Sequence, residues 1–578
     1  MTDSTHILGK DATLHDSIAR MQQQLQHLGF HIEEHSWLNP IPHVWSVHIR
    51  DKDCPLLFTN GKGASKSAAL ASALGEFFER LNCNYFFADF YLGEQIAQAD
   101  FVHYPNEKWL AVEAISEDDQ TWRHTLLDDS LWQYYDPQQQ LQPTDLIDTN
   151  SGNQERGICA LPYQRQSDQH SVYFPVNIIA NLYVSNGMSA GNTASEARVQ
   201  ALSEIFERWV KFKVIAEEIC LPDIPDKVLN RYPNILAGIE ELKAAGYGIL
   251  VKDASLGGQY PVINVTLLNA EDQGCFASFG AHPCFEVALE RTLTELLQGR
   301  SLESLTGFAQ ASFDQEEISA AHNLETHFID SSGVISWQFL ANSPDYAFAD
   351  WNFSGTTQQE FEHLCAILQA EGKQIYISDY QHLGVYGCRI IVPDCSEIYH
   401  PEDLQWDNNN AGIAYRESIF SLQKLSKQQL ATLLEQLNYA GFDDQHPIAA
   451  LLGLAPDLQS KWTTLRMGEL KTRLALAIHD QEAILQGCDW IKYNGQLSAD
   501  AAQIYHCIET LVRLENTNDY LDKLQQLYGT TCLTQAQIWL KGEQVFDDLV
   551  MPTLALEGCE MHQKLLMAYH KLQLAKVG

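Results

Sequence analysis

Basic residues are scarce in this chain, and their scarcity limits the partners that it can bind. Of the 578 residues, 37 are Lys or Arg and 75 are Asp or Glu, which gives a net charge of −38 and a pI near 4.8. Because binding to a phosphate backbone needs a basic surface that displaces counterions, we expect no direct contact with nucleic acid. Basic residues that gather at one place against this background indicate a local function.

Paired cysteines and long apolar runs are also missing. The 13 cysteines include no Cys-x-x-Cys pair, so neither a disulfide framework nor a zinc ribbon is indicated, and we expect reduced, mostly buried thiols. No stretch of about 18 apolar residues without charges occurs, and the N-terminal segment lacks the apolar region of a signal peptide. The sequence therefore predicts a cytoplasmic protein with no membrane-spanning segment.

The remaining composition is that of a large folded protein, with 45% hydrophobic, 10% aromatic and 19% charged residues. Apolar spacing predicts a helix over residues 13–28, with Thr13 as its N-cap. Short β-rich runs then alternate with helical patterns, which predicts an α/β or α+β fold. The predicted strands cover residues 44–49, 172–184, 248–253, 260–268, 275–279, 374–377 and 384–392.

The pattern changes near residue 420 to successive amphipathic helices, for example over 428–437, 464–478, 501–514 and 518–527. We therefore divide the chain into a core, 1–420, and an all-α module, 421–578. The module is expected to resemble a tetratricopeptide array, although no clean 34-residue consensus is present. Such a module predicts a docking or self-association surface, with a homo-oligomer, a dimer, as the expected assembly. Truncation near residue 420 is expected to spare the site described next.

An internal repeat is the most informative feature of the sequence. Residues 63–80 align without gaps on residues 191–208, and both copies end in Glu-x-x-Glu-Arg. A degenerate third copy covers residues 289–298, with Gln298 in place of the second glutamate. The acidic and basic residues of the three copies are Glu76, Glu79 and Arg80, then Glu204, Glu207 and Arg208, then Arg291 and Glu295.

A single helix of this kind is most simply explained as a solvated face with an i, i+4 ion pair from Glu76 to Arg80. A surface face has no reason to repeat the same register, however, so we expect the three helices to converge. Five clustered carboxylates must then be neutralised by protons or divalent cations, and oxygen-only ligands favour Mg²⁺. A di-iron centre is disfavoured because it needs Glu-x-x-His on facing helices.

Mg²⁺ in a carboxylate site usually accompanies phosphates, so a nucleotide is the expected second ligand. The sequence contains no Walker A motif, because neither Gly9-Lys10 nor Gly61-Lys62 has the required spacing. Another kind of nucleotide site is therefore needed. The candidate donors are Arg208 and Arg291, the turn Ser189-Ala-Gly-Asn192 at a helix start, and Lys10, Ser17 and Arg20.

The segment Gly187-Met-Ser189-Ala-Gly191 also matches the G-x-S-x-G elbow of α/β-hydrolases. The repeat argues against that interpretation, because Gly61 stands at the position of Ser189 in the first copy. The helix is expected to begin after Thr193 and not at the serine, and no HGGG-type oxyanion segment occurs.

Taken together, the paired Glu-x-x-Glu-Arg motifs, the Ser-Ala-Gly-Asn turn, Arg291-x-x-x-Glu295-x-x-Gln298 and the N-terminal Gly-Lys-Asp resemble the YcaO family. The resemblance extends from about Lys10 to the end of the chain. It implies a YcaO-type ATP-binding fold without a P-loop. Position by position, it implies the metal ligands Glu76, Glu79, Glu204, Glu207 and Glu295, and the ATP contacts Lys10, Ser17, Arg20, Ser189, Asn192, Arg208 and Arg291.

The resemblance also implies an activity. Members of the family use ATP to phosphorylate a peptide amide oxygen, and azoline-forming members end in a proline-rich tail that this chain lacks. Nine residues precede Lys10, which leaves no room for a fused leader-binding domain, so we do not expect peptide cyclodehydration. Stand-alone members are instead described as accessories to β-methylthiolation of a small-subunit ribosomal protein. That implies this ribosomal protein and a methylthiotransferase as partners. A non-enzymatic, ATP-binding adaptor that acts through the helical module remains the alternative.

Overall fold

A computed structural model describes residues 5–112, 121–402, 404, 410–495 and 497–577, which form a mixed α/β fold around three antiparallel sheets. The first sheet has the order β1 (Ile32–Ile41), β2 (Val44–Asp51), β3 (Phe58–Gly63). The second has the order β10 (Cys275–Ala281), β9 (Val262–Leu268), β8 (Gly248–Asp253). The third has the order β4 (Lys108–Leu110), β5 (Ile158–Arg165), β11 (Tyr376–Tyr380), β12 (Tyr386–Ile391), β7 (Met188–Gly191), with β6 (Ser171–Pro175) paired to β5.

Helices cover the sheets and connect them. They are α1 (Leu14–His27), α2 (Lys66–Asn82), α3 (Gly93–Ala97), α4 (Asp129–Tyr135), α5 (Val176–Ile178), α6 (Ala194–Ala216), α7 (Asp226–Leu229), α8 (Pro233–Ala244), α9 (Phe285–Leu296), α10 (Gln315–Ser319), α11 (Ala321–Ile329) and α12 (Thr357–Ala370). Helix α1 begins as predicted, because the Thr13 hydroxyl accepts a hydrogen bond from the Asp16 amide at 3.1 Å. Within the described ranges, no helix is long and apolar enough to span a membrane.

The predicted strands are confirmed except for one. Strand β8 has the predicted bounds, and five others overlap their predictions. The predicted strand 172–184 is wrong beyond Pro175, where the chain continues as α5 and a π-helical turn, Ile179–Tyr183. Most of this segment is buried, and its side chains are apolar except for Asn177 and Asn181. A mostly apolar run gives little periodicity that could distinguish a helix from a strand.

The sequence repeat corresponds to a repeated strand-helix unit. Strands β3, β7 and β10 are each followed after a short turn by α2, α6 and α9. Ser65 caps α2 and Thr193 caps α6, and each hydroxyl accepts the amide three residues later at 3.1 Å. A Cβ at Gly191 would lie 2.8 Å from the Ala197 nitrogen, so glycine allows the strand to approach the helix closely.

The small residues of α2 lie on two different faces of the helix. Ala69 and Ala73 are fully buried against β3, where a Cβ at Gly61 would lie 2.1 Å from the Ala69 carbonyl oxygen. That helix face therefore packs on a strand and is not open to a ligand. Ser72 and Gly75, on another face of α2, border a cavity instead.

The C-terminal region is helical, as predicted. Its helices are α13 (Ile413–Phe420), α14 (Lys427–Ala440), α15 (Ile448–Leu451), α16 (Met467–Ile478), α17 (Gln481–Asn494), α18 (Ala499–Arg513), α19 (Leu521–Leu540) and α20 (Glu560–Val577). Helices α16 to α19 pack in sequence, each against the next. Helix α19 is kinked at Gly529, which has a φ of 77°.

The last helix, α20, returns to the N-terminal part of the chain. Leu565, Tyr569 and Leu572 are fully buried in the same apolar cluster as α1 and α2. The Lys571 ammonium donates to the Gly29 carbonyl at 2.7 Å. Truncation near residue 420 would therefore uncover the core beside the repeated helices. The expectation that truncation spares the site must be revised, because amphipathicity shows that a face is buried but not what covers it.

Candidate nucleotide and metal site

The repeated helices α2, α6 and α9 converge on one cavity of about 400 Å³, to which the N-terminal segment and α1 also contribute. All twelve residues that the sequence nominates line this cavity. They are Lys10, Ser17, Arg20, Glu76, Glu79, Ser189, Asn192, Glu204, Glu207, Arg208, Arg291 and Glu295. The fold thus brings together residues that are up to 285 positions apart in the chain.

Helix α2 contributes two glutamates, Glu76 and Glu79, and Glu76 has a basic partner. The Arg80 guanidinium donates to Glu76 Oε1 from Nη2 at 2.6 Å and from Nε at 3.0 Å. Glu79 makes no ion pair with any residue that the structure describes. Burial, and then the nearby Glu204 carboxylate, raise the pKa of Glu79 well above its ordinary value. Glu79 is therefore the carboxylate that would gain most from an added cation.

Helix α6 contributes the second pair. Arg208 Nη1 lies 2.8 Å from Glu204 Oε1 and also donates to the Asn186 side-chain oxygen at 3.3 Å. Glu207 Oε2 lies 3.6 Å from Arg291 Nη2, which comes from α9. Burial raises the pKa of Glu204 although Arg208 lies beside it. Two of the three arginines that the sequence nominates for ATP, Arg208 and Arg291, are thus paired with glutamates here.

Helix α9 contributes Glu295, whose carboxylate pairs with Lys62 from strand β3. The same ammonium donates to Gln298 Oε1 at 3.1 Å, and burial lowers the pKa of Lys62 to about 8. In the sequence, Lys62 stood out only because Gly61-Lys62 lacks the spacing of a Walker A motif, so its role beside Glu295 was not predicted. The signal that could have found it is its position directly before the first copy of the repeat.

Asn192 joins α1 to the start of α6. Its side-chain oxygen accepts hydrogen bonds from Ser17 Oγ at 3.1 Å and from Arg20 Nη2 at 2.8 Å. Ser17 and Arg20, from α1, therefore both contact Asn192 directly. The Arg20 Nε atom is buried and has no hydrogen-bond partner within the described chain.

A further carboxylate, Glu196, lies in the first turn of α6 and was missed by sequence analysis. It accepts from the Asn192 side chain at 2.9 Å and from the Asp11 amide at 2.9 Å. Lys10 Nζ lies 3.5 Å from its other oxygen. The first copy of the repeat has Ala68 at this position, so a difference between the two copies was the available signal.

Ser189 does not form a nucleophile elbow. It lies inside strand β7, is fully buried, and its hydroxyl points to the neighbouring Ala190 carbonyl at 3.4 Å. Helix α6 begins three residues after this strand, at Ala194. The geometry therefore agrees with the sequence argument against a serine hydrolase.

The donor set fits a magnesium nucleotide. Five glutamates face four basic partners, Lys62, Arg80, Arg208 and Arg291, so carboxylates are in excess. Across the described ranges, no three His, Cys, Asp or Glu side chains are already grouped to hold a metal, since the glutamates hold basic groups instead. The buried Nε atoms of Arg20 and Arg291 have no acceptor in the described part of the chain, and phosphate oxygens would supply one.

Comparison with known sequences agrees with this chemistry. Residues 60–396 match the family described as YcaO cyclodehydratase, ATP- and Mg²⁺-binding, and residues 412–578 match the YcaO cyclodehydratase C-terminal domain. The chain is 55% identical to the ribosomal protein S12 methylthiotransferase accessory factor YcaO of Escherichia coli, over 99% of both chains. It is 53% identical to an uncharacterized protein of Haemophilus influenzae, over 100% of this chain and 99% of the relative.

Two similar solved structures are a heterocyclase in complex with substrate and cofactor and a YcaO protein of Methanopyrus kandleri bound with AMPPCP and Mg²⁺. The first has 17% identity and a TM-score of 0.42, and covers 69% of this chain and 56% of its own. The second has 16% identity and a TM-score of 0.41, and covers 68% of this chain and 95% of its own.

The family match also tests which cofactors were predicted. Its description names ATP and Mg²⁺, which confirms both of them. The matched span contains nine of the twelve nominated residues. Lys10, Ser17 and Arg20 lie before its start, although they line the same cavity. With two consecutive family matches and a relative 55% identical over 99% of the chain, this protein belongs to the YcaO family.

Proposed function

We propose that the cavity binds ATP with Mg²⁺ and that the protein uses this nucleotide to assist modification of a small-subunit ribosomal protein. The observation that carries the proposal is the convergence of all twelve nominated residues on one cavity with an excess of carboxylate. Glu76, Glu79, Glu204, Glu207 and Glu295 would hold Mg²⁺. Lys10, Ser17, Arg20, Ser189, Asn192, Arg208 and Arg291 would contact ATP.

The residues of this chain have two tasks in such a site. Bound Mg²⁺ neutralises charge and orients phosphates, and bound ATP supplies a transferable phosphoryl group. A bound Mg²⁺ would take the place of the basic groups that the glutamates now hold. Arg208 and Arg291 would then be free to donate charge-assisted hydrogen bonds to phosphate oxygens. The Asn192 side chain holds Ser17 and Arg20 in place at the other end of the cavity.

The Escherichia coli relative supports the choice of partner. Its name gives it the role of accessory factor to the ribosomal protein S12 methylthiotransferase. We therefore propose the same modification as the process that this chain assists, with activation of a protein amide by phosphorylation as its chemistry. The protein would act in the cytoplasm, as a dimer that associates through its C-terminal helices.

Nucleotide binding and turnover test the proposal directly. We expect Mg-ATP to bind in calorimetric titration, and Glu76→Gln, Glu204→Gln and Glu295→Gln each to weaken it. Glu240→Gln is the matched control, since Glu240 is an exposed residue of α8 that pairs with Lys243 at the surface. Unchanged affinity in all three cavity variants would contradict the metal assignment.

Turnover separates the two classes of function that the sequence leaves open. ATP hydrolysis above background that disappears in Glu204→Gln supports an enzyme. Tight binding without hydrolysis supports the adaptor. In cells, loss of the protein should reduce methylthiolation of ribosomal protein S12, as measured by mass spectrometry of purified ribosomes, and full modification in its absence would refute the proposed partner.

A further inference from the structure

A second, smaller cavity lies beside the nucleotide cavity and has no part in the proposed function. Its volume is about 60 Å³. Helix α2 contributes Glu79 and Arg80 to the large cavity, and Cys83 and Asn84, at the end of this helix, line the small one. Two neighbouring residues also separate the cavities. Val184 lines the small cavity, and Ser185 lines the large one.

The wall between the cavities is built from unusual backbone. Val184 has a φ of 49° and a ψ of −113°, which is a rare conformation for a β-branched residue. It follows the π-helical turn Ile179–Tyr183, whose first residue also lines the small cavity. Strained residues and π-turns persist where the surroundings hold them, and both are enriched at functional sites. The backbone of this wall therefore resembles that of functional sites and not a defect in packing.

Two buried hydrogen-bond donors line the small cavity without a matching acceptor. Arg389, on β12, is 5% exposed and donates from Nη2 to the Val184 carbonyl. Its Nε is buried without a partner, and no carboxylate among the described residues lies within ion-pair distance of it. Tyr163, on β5, is 1% exposed; its hydroxyl lies near the Tyr380 side chain but makes no hydrogen bond of ordinary geometry in the described chain.

A second basic side chain contacts residues that line the small cavity. The Lys576 ammonium, from α20, donates to the Asn84 side-chain oxygen at 2.6 Å and to the His103 carbonyl at 2.8 Å. It lies 4.4 Å from the centre of the Tyr104 ring and has no carboxylate partner in the described ranges. A buried basic group without a carboxylate is costly, and burial lowers the pKa of Lys576 to about 7, whereas acidic partners were abundant in a chain with a net charge of −38.

The size and polarity of the small cavity limit which group could neutralise these basic side chains. At about 10–15 Å³ for each water, the cavity has room for about four to six waters, or for a group of similar size. A nucleotide is too large. Much of the lining is apolar, from residues such as Leu161, Val176 and Ile179, so a singly charged carboxylate on a methylene is less costly to bury than a phosphate dianion.

We propose that the small cavity is a binding site for a carboxylate, with Arg389 and Tyr163 as its donors. The carboxylate belongs either to a small free acid or to an acidic side chain of a polypeptide that reaches the adjoining nucleotide cavity. Only the second source rests on the proposed function. The Asn84 side-chain oxygen accepts from Lys576 and the Asn150 side-chain nitrogen donates to the Phe87 carbonyl, so the two named donors set the specificity.

Binding of matched peptides to the full-length protein tests the site. The probes are a capped Gly-Gly-Asp-Gly-Gly peptide, its Asn counterpart and sodium acetate, titrated calorimetrically at constant ionic strength. We expect the Asp peptide to bind at least about tenfold more tightly than the Asn peptide. Acetate binding as tight as that of the Asp peptide assigns the site to a small acid, and weaker acetate binding assigns it to a polypeptide.

Variants connect the binding to this cavity. Arg389→Gln should abolish the preference for Asp over Asn, whereas Arg231→Gln, which removes an exposed arginine paired with Asp350, should not. Tyr163→Phe removes only an unpartnered hydroxyl, so it should fold normally and still weaken the Asp peptide severalfold. Equal binding of the two peptides to the wild type, or an undiminished preference in folded Tyr163→Phe, would overturn the proposal.

Nucleotide affinity, measured on the same samples, keeps the two proposals distinguishable. Arg389→Gln and Tyr163→Phe should bind Mg-ATP like the wild type, because neither residue lines the large cavity. A wild type that prefers the Asp peptide but binds no ATP would refute the proposed function and leave the carboxylate site standing. The reverse result would refute the carboxylate site alone.

Discussion

Gly75 offers a test of whether the nucleotide occupies the space beside α2. It lies inside this helix next to Glu76, and a Cβ built on it would meet no heavy atom of the described residues within 4 Å. Its backbone is helical, so a side chain causes no strain. Alanine in a helix interior is about 0.5–1 kcal/mol more stable than glycine. Gly75→Ala should therefore raise the free energy of unfolding of the ligand-free protein by about that amount.

A longer side chain at the same position separates stability from binding. Leucine has nearly the helix propensity of alanine, so Gly75→Leu should also fold at least as stably as the wild type without ligand. Its side chain must extend into the cavity, where the ligand would lie. We therefore expect nucleotide affinity to fall with side-chain length, from glycine through alanine to leucine, while stability does not fall.

Urea denaturation with and without Mg-ATP measures both effects. At a ligand concentration of about 100 times Kd, binding should stabilise the wild type by about 2.7 kcal/mol. Gly75→Leu should lose most of this increment. The matched control is Gly238→Ala in α8, where the new Cβ would lie 3.0 Å from Leu293 Cδ2. That variant should gain little stability and keep the full nucleotide increment. A full increment in Gly75→Leu would refute nucleotide binding beside α2.

Three further predictions concern charge, pH and the last helix. Arg208→Ala and Arg291→Ala should each remove a phosphate contact worth about 1.5–3 kcal/mol, so calorimetry should show Kd rising about 10- to 150-fold. Burial lowers the pKa of His562 from 6.5 to about 4. Its neutral form therefore stabilises the fold above pH 6.5, and this contribution is lost as pH falls toward 4. Urea titrations at several pH values should show that His562→Gln flattens this part of the stability profile. Deletion of Glu560–Val577 should abolish both cooperative unfolding and Mg-ATP binding, since its buried side chains stabilise the core by about 1.5–3 kcal/mol each, and a folded, ATP-binding deletion would contradict this packing.

The parts of the fold that sequence could predict are those decided by local pattern. The α1 boundary follows from Thr13 as N-cap, and β8 is bounded by Gly248 and Asp253 as expected. The repeat predicts which residues share a site, because identical local structure places Glu76 and Glu204 at equivalent positions. Neither inference needs knowledge of what packs against the element.

The parts that sequence could not predict depend on distant partners. Lys62 and Glu295 are 233 positions apart, so nothing local links the ammonium to the carboxylate. The segment after Pro175 is apolar except for Asn177 and Asn181, so its helical turn had little periodic signature. Helix α20 covers α1 and α2, a contact that its own amphipathic pattern could not specify.

The ion pairs of the nucleotide cavity imply that metal and nucleotide bind cooperatively. Without ligands, Arg80 and Arg208 neutralise Glu76 and Glu204, so a metal must displace a guanidinium and ATP must compete with a carboxylate. Each ligand alone therefore breaks an ion pair without satisfying both partners, whereas the two together satisfy the glutamates with Mg²⁺ and the arginines with phosphate. Because coupling between ligands is reciprocal, Mg²⁺ should strengthen binding of ATP by the same factor as ATP strengthens binding of Mg²⁺, beyond their association in solution. Titrations of each ligand with and without the other measure both factors, and nucleotide affinity that is equal with and without Mg²⁺ would show that these ion pairs stay intact on binding.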